Sequence, residues 1–579
     1  MEFILENNMC TFAGIFTIDD KPNNFGTKPY IKRKNGSLYE VFFSGEIYNL
    51  HELFRDLEYR GYDLNPDITE EIILNLYWEY GSNFVSQLTG VFSIAINDHN
   101  TNELLLYRDR VGAKPLFYHR ALAGIIFGTS QDSLFDFPSF NPELSLEGLR
   151  ELLAIGPGHK SGNCIFKNMH EVLPGHYLTF SKYGKCDTCY WDLNYAPHPD
   201  DYSTTVLHVR QLLTDAVEMQ CNSPGSLCAF LSGGLDSSLV SAIARDYLDK
   251  KGLRLDTYSF DFVGNREFFQ SNSFQPELDR PYVEKMVNLL NTNHTYLECD
   301  NHSLFDYLFK SVDARNVPGM ADVDSSILFF CSAVAKRHTT ALTGECSDEI
   351  FGGYPWFYRD EFKNLELFPW SRDFSTREFL LSDSWIKRLQ LEECARDIYQ
   401  SAISELAFPE EEAKQAHSRK ITYFNIKWFM QTLLDRMDRA GSFAGIIGRI
   451  PFADHKLMEY VFNVPFDMKY HDNTEKALLR DAFKDKLPDQ LLHRKKSPYP
   501  KTYNPGYEKL LTEKMKAILS DSDSPVLPLL DRNKVSLFLE APSEYGKPWY
   551  GQLMAAPQLI AYYIQIDYWM RKYNLCLPG

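Results

Sequence analysis

A chain of 579 residues is too long for one hydrophobic core, so two domains or more are expected. Lys plus Arg number 60 and Asp plus Glu 78, a formal charge of −18, which argues against nucleic acid or an anionic membrane as the main partner. No apolar run reaches about 18 residues. The opening MEFILENNMC lacks the basic start and apolar core of a secretory signal, and the 11 scattered cysteines suit free thiols in a reducing cytoplasm better than a disulfide framework.

Residues 10–190 read as mostly β. The runs TFAGIF, YEVFFSG, GVFSIAIND, NELLLYRD, PLFYH, GIIFGTS and HYLTFS are separated by Gly, Asn, Asp and Pro at turn-like intervals. Amphipathic helical stretches interrupt them near 50–60 and 69–80. Cys186 and Cys189 form a lone C-x-x-C pair with no second pair or histidines at ligand spacing, so they are expected at a hairpin tip rather than in a zinc site. The polar, proline-containing PHPDDYS segment predicts a linker at 197–203, between a domain at 1–196 and a second at 204–579.

Beyond the linker the rhythm changes. A helix near 204–220 leads to the apolar strand LCAFL at 227–231, a helix from about 236, and strands DTYSFDF at 256–262 and TTALTGE at 339–345. Strands alternating with helices imply a parallel sheet. From about 355 onward the chain reads as largely helical.

The segment LCAFLSGGLDSSLVSAIA at 227–244 carries the first candidate site. A buried strand ends at Leu231, Ser232, Gly233 and Gly234 make the turn, and a helix starts around Asp236, Ser237 and Ser238. Converging backbone N–H groups and a helix N-terminus make an anion cradle, the serines add hydroxyl donors, and Asp236 supplies a carboxylate for magnesium. No lysine follows the second glycine, so the loop is not of the Walker type. Its S-G-G-x-D-S spacing resembles instead the pyrophosphate loop of enzymes that cleave ATP between the α and β phosphates. A plain helix cap with a glycine turn would explain some of these residues but not all of them together.

The second candidate, LTGECSDEIFGGYPWF at 342–357, packs Glu345, Asp348 and Glu349 between Gly344 and the Gly352–Gly353 pair. Carboxylates crowded on a loop are costly unless a cation or proton neutralises them. A solvated acidic helix start would look similar, but two such turns at strand ends are where open α/β sheets bind ligands.

These segments, with GEIYNLHEL, LYRDRVGAKPLFY, EVLPGHYL, FQPELDRPYV, PGMADVDSS, LLDRMDR, RIPFADHKLMEYV, EKALLR, RKKSPYPKTYNP and PWYGQLMAAPQLIAYYIQ, resemble the glutamine-hydrolysing asparagine synthetases in their larger bacterial form over nearly the whole chain. The resemblance implies an α+β N-terminal Ntn-hydrolase-like αββα sandwich. It implies after that an α/β parallel-sheet synthetase domain of the ATP-pyrophosphatase type with a helical C-terminal region. It further implies that ATP and Mg²⁺ activate aspartate as an aspartyl adenylate, with ammonia or glutamine as nitrogen donor, in a cytoplasmic enzyme for which a homodimer is admitted. Carried over by position, Ser232, Gly233, Gly234, Asp236, Ser237 and Ser238 would hold the phosphates, and Leu231 and Gly344 would also belong to the ATP site. Ser259 and Phe260 would line the adenosine pocket, and Asp236 with Asp348 would ligate Mg²⁺. Glu345 would take a proton from the attacking nitrogen, and Lys476 in EKALLR would stabilise charge on the α-phosphate and pyrophosphate. On its own Lys476 reads as a surface helix lysine.

The front domain departs from the family. A glutaminase nucleophile of this type works as an N-terminal residue, whereas nine residues precede Cys10 here, which calls for processing, a later start or an inactive site. The stretch between Cys10 and Ser44 contains no R-G-P-D segment or arginine-rich strand to clamp a glutamine carboxylate. Ser44 stands where the family has an oxyanion-hole asparagine, and Thr69 where it has an aspartate; Gly45 and Glu46 are retained. A degenerate glutaminase is therefore expected. In the back domain Ile447 replaces a glutamate before Arg449, which puts the acceptor in question, and Lys495, Lys496, Ser497, Tyr499, Lys501 and Thr502 are expected near the phosphates. Two alternatives follow: an amide or lactam synthetase acting on another carboxylic acid without glutaminase activity, or a non-catalytic regulatory relative. The acids at Asp236, Asp348 and Glu345 and the lysine at 476 speak against the last.

Overall fold

The computed structural model describes residues 11–17, 27–34, 36–122, 124–222, 225–269, 277–362, 365–406, 413–542 and 548–579. The chain divides into two compact units, Met1–Glu143 with Lys160–Asn194, and Leu144–His159 with Tyr195–Gly579. Cys10 lies outside the described residues.

The first unit contains β1 (Ala13–Thr17), β2 (Tyr30–Lys34), β3 (Ser37–Ile47), β4 (Gly90–Asp98), β5 (Glu103–Arg108), β6 (Phe117–Ala121), β7 (Gly124–Gly128), β8 (Met169–Glu171), β9 (His176–Ser181) and β10 (Gly184–Cys189). They pair antiparallel in a four-stranded sheet, β1-β7-β6-β8, and a six-stranded sheet, β10-β9-β5-β4-β3-β2. Period-two alternation gives the larger sheet two apolar faces. Ile94, Ile96, Leu105 and Tyr107 pack with Leu57, Ile72, Ile73 and Leu76 of the helices Leu50–Tyr59 and Thr69–Tyr80. Ala95, Leu104 and Leu106 pack with Phe16, Tyr118, Ile125 and Phe127 of the smaller sheet. The result is the N-terminal architecture of two stacked antiparallel sheets expected, with helices against the outer face of the larger one.

Among the strands absent from the runs read in the sequence is β2, and one local expectation changes. Strand β2 (YIKRK) has no apolar alternation, and as an edge strand it holds its place with charge: Lys32 pairs with Glu71, and the Lys34 ammonium lies 4.2 Å from the Trp78 ring centroid. Cys186 and Cys189 are not at a hairpin tip but on the outer strand β10, opposite Thr179 and His176. Three residues apart on a strand, their side chains point to opposite faces and cannot converge on one metal.

The second unit is built on β11 (Leu227–Phe230), β12 (Asp256–Phe262), β13 (Asn293–Cys299), β14 (Thr340–Leu342) and β15 (Ile447–Arg449), all parallel in the order β13-β12-β11-β14-β15. The direction of sheet growth reverses between β11 and β14, so the loops leaving those two strands diverge around a crevice. Most of the unit beyond residue 355 is helical. The helix Leu146–Ala154 belongs here, although it falls within the span 1–196 expected for the first domain. Its C-terminal carbonyls are taken by this unit: Tyr562 donates to Leu152 O at 2.8 Å and Arg377 to Leu153 O at 3.0 Å. The expected linker at 197–203 runs into the helix Tyr202–Cys221, which Asp201 caps through the Thr204 N–H. No helix among the described residues is long and apolar enough to cross a membrane.

Candidate active site

The turn after β11 is built by close approach. Gly233 has φ +71°, and a Cβ there would fall 2.8 Å from the Val283 nitrogen. Arg494 fixes the same residue by donating to Gly233 O at 2.7 Å. Gly234 then opens the helix Leu235–Asp249, directing its first N–H groups into the crevice. Ser232 and Ser237 share a hydroxyl contact of 2.9 Å, and Ser238 Oγ, fully buried, has no hydrogen-bond partner among the described residues. Leu231 is tied to the next strand: its N–H donates to Tyr258 O at 2.8 Å, and Ser259 Oγ donates to its carbonyl at 2.5 Å.

The turn after β14 touches the first one backbone to backbone. A Cβ on Gly344 would stand 2.5 Å from the Ser237 nitrogen and 2.8 Å from the Asp236 carbonyl carbon. That contact brings the acids of both loops together. Asp236 accepts from Ser347 Oγ at 2.7 Å and from Lys476 Nζ at 2.8 and 2.9 Å. The same ammonium lies 2.5 Å from Asp348 Oδ1, while Lys496 pairs with Asp348 Oδ2. Burial alone would raise the Asp348 carboxyl, but Lys476 and Lys496 outweigh it and hold it below the usual range. Glu349 moves the other way, raised by burial and then by Asp348, with Tyr354 donating to its Oε1 at 2.6 Å. Glu345 pairs through one oxygen with Arg436, and its other oxygen, Oε2, has no hydrogen-bond partner among the described residues.

A cavity of about 280 Å³ joins these groups. Leu231, Ser232, Gly234, Asp236, Ser237, Ser259, Phe260, Gly344, Glu345, Asp348 and Lys476 line it, so most residues expected from the sequence converge; Gly233 and Ser238 stand behind the lining as supports. Lys495, Lys496, Ser497 and Tyr499 also line it, whereas Lys501 and Thr502 do not. Tyr499 stacks near Phe260, with centroids 6.3 Å apart and planes 22° apart, forming an aromatic wall of the cavity.

Lys476 is only 3 % exposed and sits in a left-handed conformation, φ +55°, ahead of the helix Ala477–Ala482. The surface helix lysine suggested by its chain neighbours is thus a buried cap residue. Arg436 and Tyr354 receive no role from sequence, although each lies within or beside a quoted segment; Glu349 is singled out there only as one of three crowded acids. Ile447 is absent from the cavity wall: it lies on edge strand β15 opposite Thr340, and it is Arg436, Leu433 and Met437, from the preceding helix Met430–Ala444, that face the site.

In the first unit, Ser44 and Gly45 lie within β3, opposite Ser93 and Phe92 of β4. Gly45 has φ +125°, and a Cβ there would be 2.1 Å from Val91 O, so only glycine fits the backbone course that precedes Glu46. Thr69 is the first residue of its helix, and Glu71, on the same turn, is engaged by Lys32 and by the Asn65 N–H at 3.1 Å.

Residues 208–571 match the family model described as asparagine synthase, and residues 15–191 match the glutamine amidotransferase domain. Asparagine synthetase [glutamine-hydrolyzing] 3 of Bacillus subtilis is 41% identical over 553 residues, covering 95% of this chain and 90% of that protein. Asparagine synthetase [glutamine-hydrolyzing] 1 of the same organism is 25% identical over 522 residues, 84% and 79% of the two chains. A protein named amidase chyE, from Penicillium rubens, is 26% identical over 576 residues, 88% and 83% of the two.

Proposed function

The chain belongs to the asparagine synthase family of ATP-dependent ligases, and from that premise we propose that its second unit converts aspartate to asparagine through an aspartyl adenylate. The supporting observation is the contact of Gly344 with Ser237, which gathers an anion cradle and a set of acids at the reversal point of a parallel sheet.

The phosphates rest against the turn from Ser232 to Ser238, where backbone N–H groups and the hydroxyls of Ser232 and Ser237 donate. The adenosine lies along Leu231, Ser259 and Phe260, with Tyr499 opposite. The aspartate side-chain carboxylate attacks the α-phosphorus, the bond to the β-phosphate breaks, and pyrophosphate leaves; Lys476 faces the charge that develops there. Ammonia then attacks the adenylate carbonyl, AMP leaves, and the surplus proton passes to Glu345 through Oε2. Arg436, paired with the other Glu345 oxygen, orients the carboxylate for that transfer.

Asp236 and Asp348 fit a shared magnesium ion: both already contact one cationic centre, and Asp348 Oδ1 has no hydrogen-bond donor aligned on it among the described residues. When bound, magnesium would neutralise the phosphate oxygens. The nitrogen donor follows from the first unit, whose Gly45 keeps its constrained backbone while Ser44 lacks a side-chain amide. Ammonium is therefore the more effective donor and glutamine the weaker one.

The test is to incubate purified protein with aspartate, Mg-ATP and either ammonium or glutamine, and to measure AMP, ADP and asparagine. Asparagine and AMP formed together support the reading, with ammonium ahead of glutamine. ADP as product would overturn the adenylate route, and AMP formed only with another acid would assign a different acceptor.

A further inference from the structure

The position of Lys476 bears on how metal reaches this site. Its ammonium donates to the two oxygens of Asp236, at 2.9 and 2.8 Å, and to Ser347 Oγ at 3.3 Å, and forms an ion pair with Asp348 Oδ1 at 2.5 Å. The surroundings are cut to fit the lysine there: a Cβ on Gly353 would fall 2.4 Å from Lys476 Cε and 1.9 Å from Asp348 Oδ1. Lys496 covers the remaining Asp348 oxygen, its ammonium 4.9 Å from the Tyr354 ring centroid. Two carboxylates are thus matched by two resident ammonium groups. A divalent cation added to that set would meet like charge in a buried place, while the other acids lining the cavity are already engaged: Glu345 by Arg436, Asp279 by Arg494, Glu475 by Arg480 and Glu349 by the Tyr354 hydroxyl.

We propose that Lys476 and Lys496 are resident counter-ions of the Asp236–Asp348 pair, so that these carboxylates accept a divalent ion only together with ATP. The triphosphate brings the negative charge that is missing, gives Lys476 an alternative partner and frees the oxygens facing it. Lys496 is in this respect a positioning residue, acting through Asp348. Metal and nucleotide affinities are then linked reciprocally, each strengthening the other. The inference rests on the reading of Asp236 and Asp348 as metal ligands.

Equilibrium dialysis of the full chain against Mn²⁺ tests it, with Asp236→Asn subtracted to remove the general attraction of an acidic protein for cations. Wild-type protein is expected to retain no specific Mn²⁺ alone, and about one ion per chain with α,β-methylene-ATP present. Lys476→Met should raise nucleotide-free Mn²⁺ affinity about tenfold or more, and Lys496→Met should do so to a smaller degree. Thermal melting gives a second readout: Mn²⁺ alone should raise the melting temperature of Lys476→Met but not of wild type. Equal Mn²⁺ retention by wild type with and without the nucleotide analogue would overturn the inference and leave the metal pair standing. Failure of both lysine variants to exceed wild type, in dialysis and in melting, would overturn it too. No retention by wild type even with the analogue would remove the metal pair itself, and the inference with it.

Discussion

The two units keep their candidate sites by different means. In the first, Gly45 has a backbone course that no other residue could follow, 2.1 Å from Val91 O for any added Cβ, and the β-sandwich around it is held by alternating apolar residues. Of the residues that depart from the family pattern, Ser44 is the chain neighbour of Gly45 and Thr69 opens the helix Thr69–Tyr80. In the second unit, backbone contact at Gly344 and the facing side chains agree: Asp236, Asp348 and Glu345 each meet a cation from a distant segment. A fold can therefore preserve the shape of a site through packing alone, whereas chemistry needs the partnered charges as well.

The largest effects should come from the charged side chains of the second unit. Lys476→Met is expected to lower aspartate-dependent AMP formation by about 10³ or more, measured with ammonium as donor. Glu345→Gln should separate the two half-reactions: aspartate-dependent exchange of pyrophosphate into ATP persists, while asparagine formation falls by about 10²–10⁴. Loss of both together would place Glu345 in activation instead.

Backbone changes should come next, and they compare the units directly. Gly344→Ala should weaken nucleotide binding by about 1–3 kcal/mol, read by titration calorimetry, because the loops must part to admit the methyl group. Gly45→Ala should cost about 1–3 kcal/mol of stability through its left-handed backbone, seen as an earlier melting transition. If it reduced ammonium-driven AMP formation as strongly as Gly344→Ala, the separation drawn between the units would fail.

The smallest effect lies away from both sites. Lys469 is buried, donates to Val461 O at 3.2 Å, and is pushed down to about 7 by burial, with Arg419 adding to the shift. Between about pH 7 and its ordinary value of 10.5 the folded chain holds fewer protons than the unfolded one, so stability rises with pH through that window. Denaturant titrations should show a gain of about 2 kcal/mol from pH 7 to pH 9 from this group. Lys469→Met should flatten that rise, and an unchanged slope would show that the amine is not buried in its neutral form.

Much of the fold was legible because its signals are local. The strands Leu227–Phe230 and Asp256–Phe262 stand out as apolar or β-branched runs, and the Ser232–Ser238 turn keeps all of its chemistry within seven successive positions. β2, β8, β10, β13 and β15 were not legible: β2, β10 and β13 are polar or charged rather than apolar, and β8 and β15 are three residues long, defined by their partners instead of their own pattern. The aromatic wall was half legible, since Phe260 follows from its segment but its pairing with Tyr499 does not.

By itself the sequence determined the two-unit plan, the glycine turns and the family, because helix and strand periods and tight turns are properties of neighbouring residues. Only the tertiary structure decided which charges meet. Lys476 and Asp236 are 240 positions apart, Lys496 and Asp348 148, and Arg436 and Glu345 91. A lysine on a helix reads the same whether solvent or two carboxylates surround it. Its role depends on which groups share its burial, and that is fixed only when the sheet closes and brings the ends of β11 and β14 together.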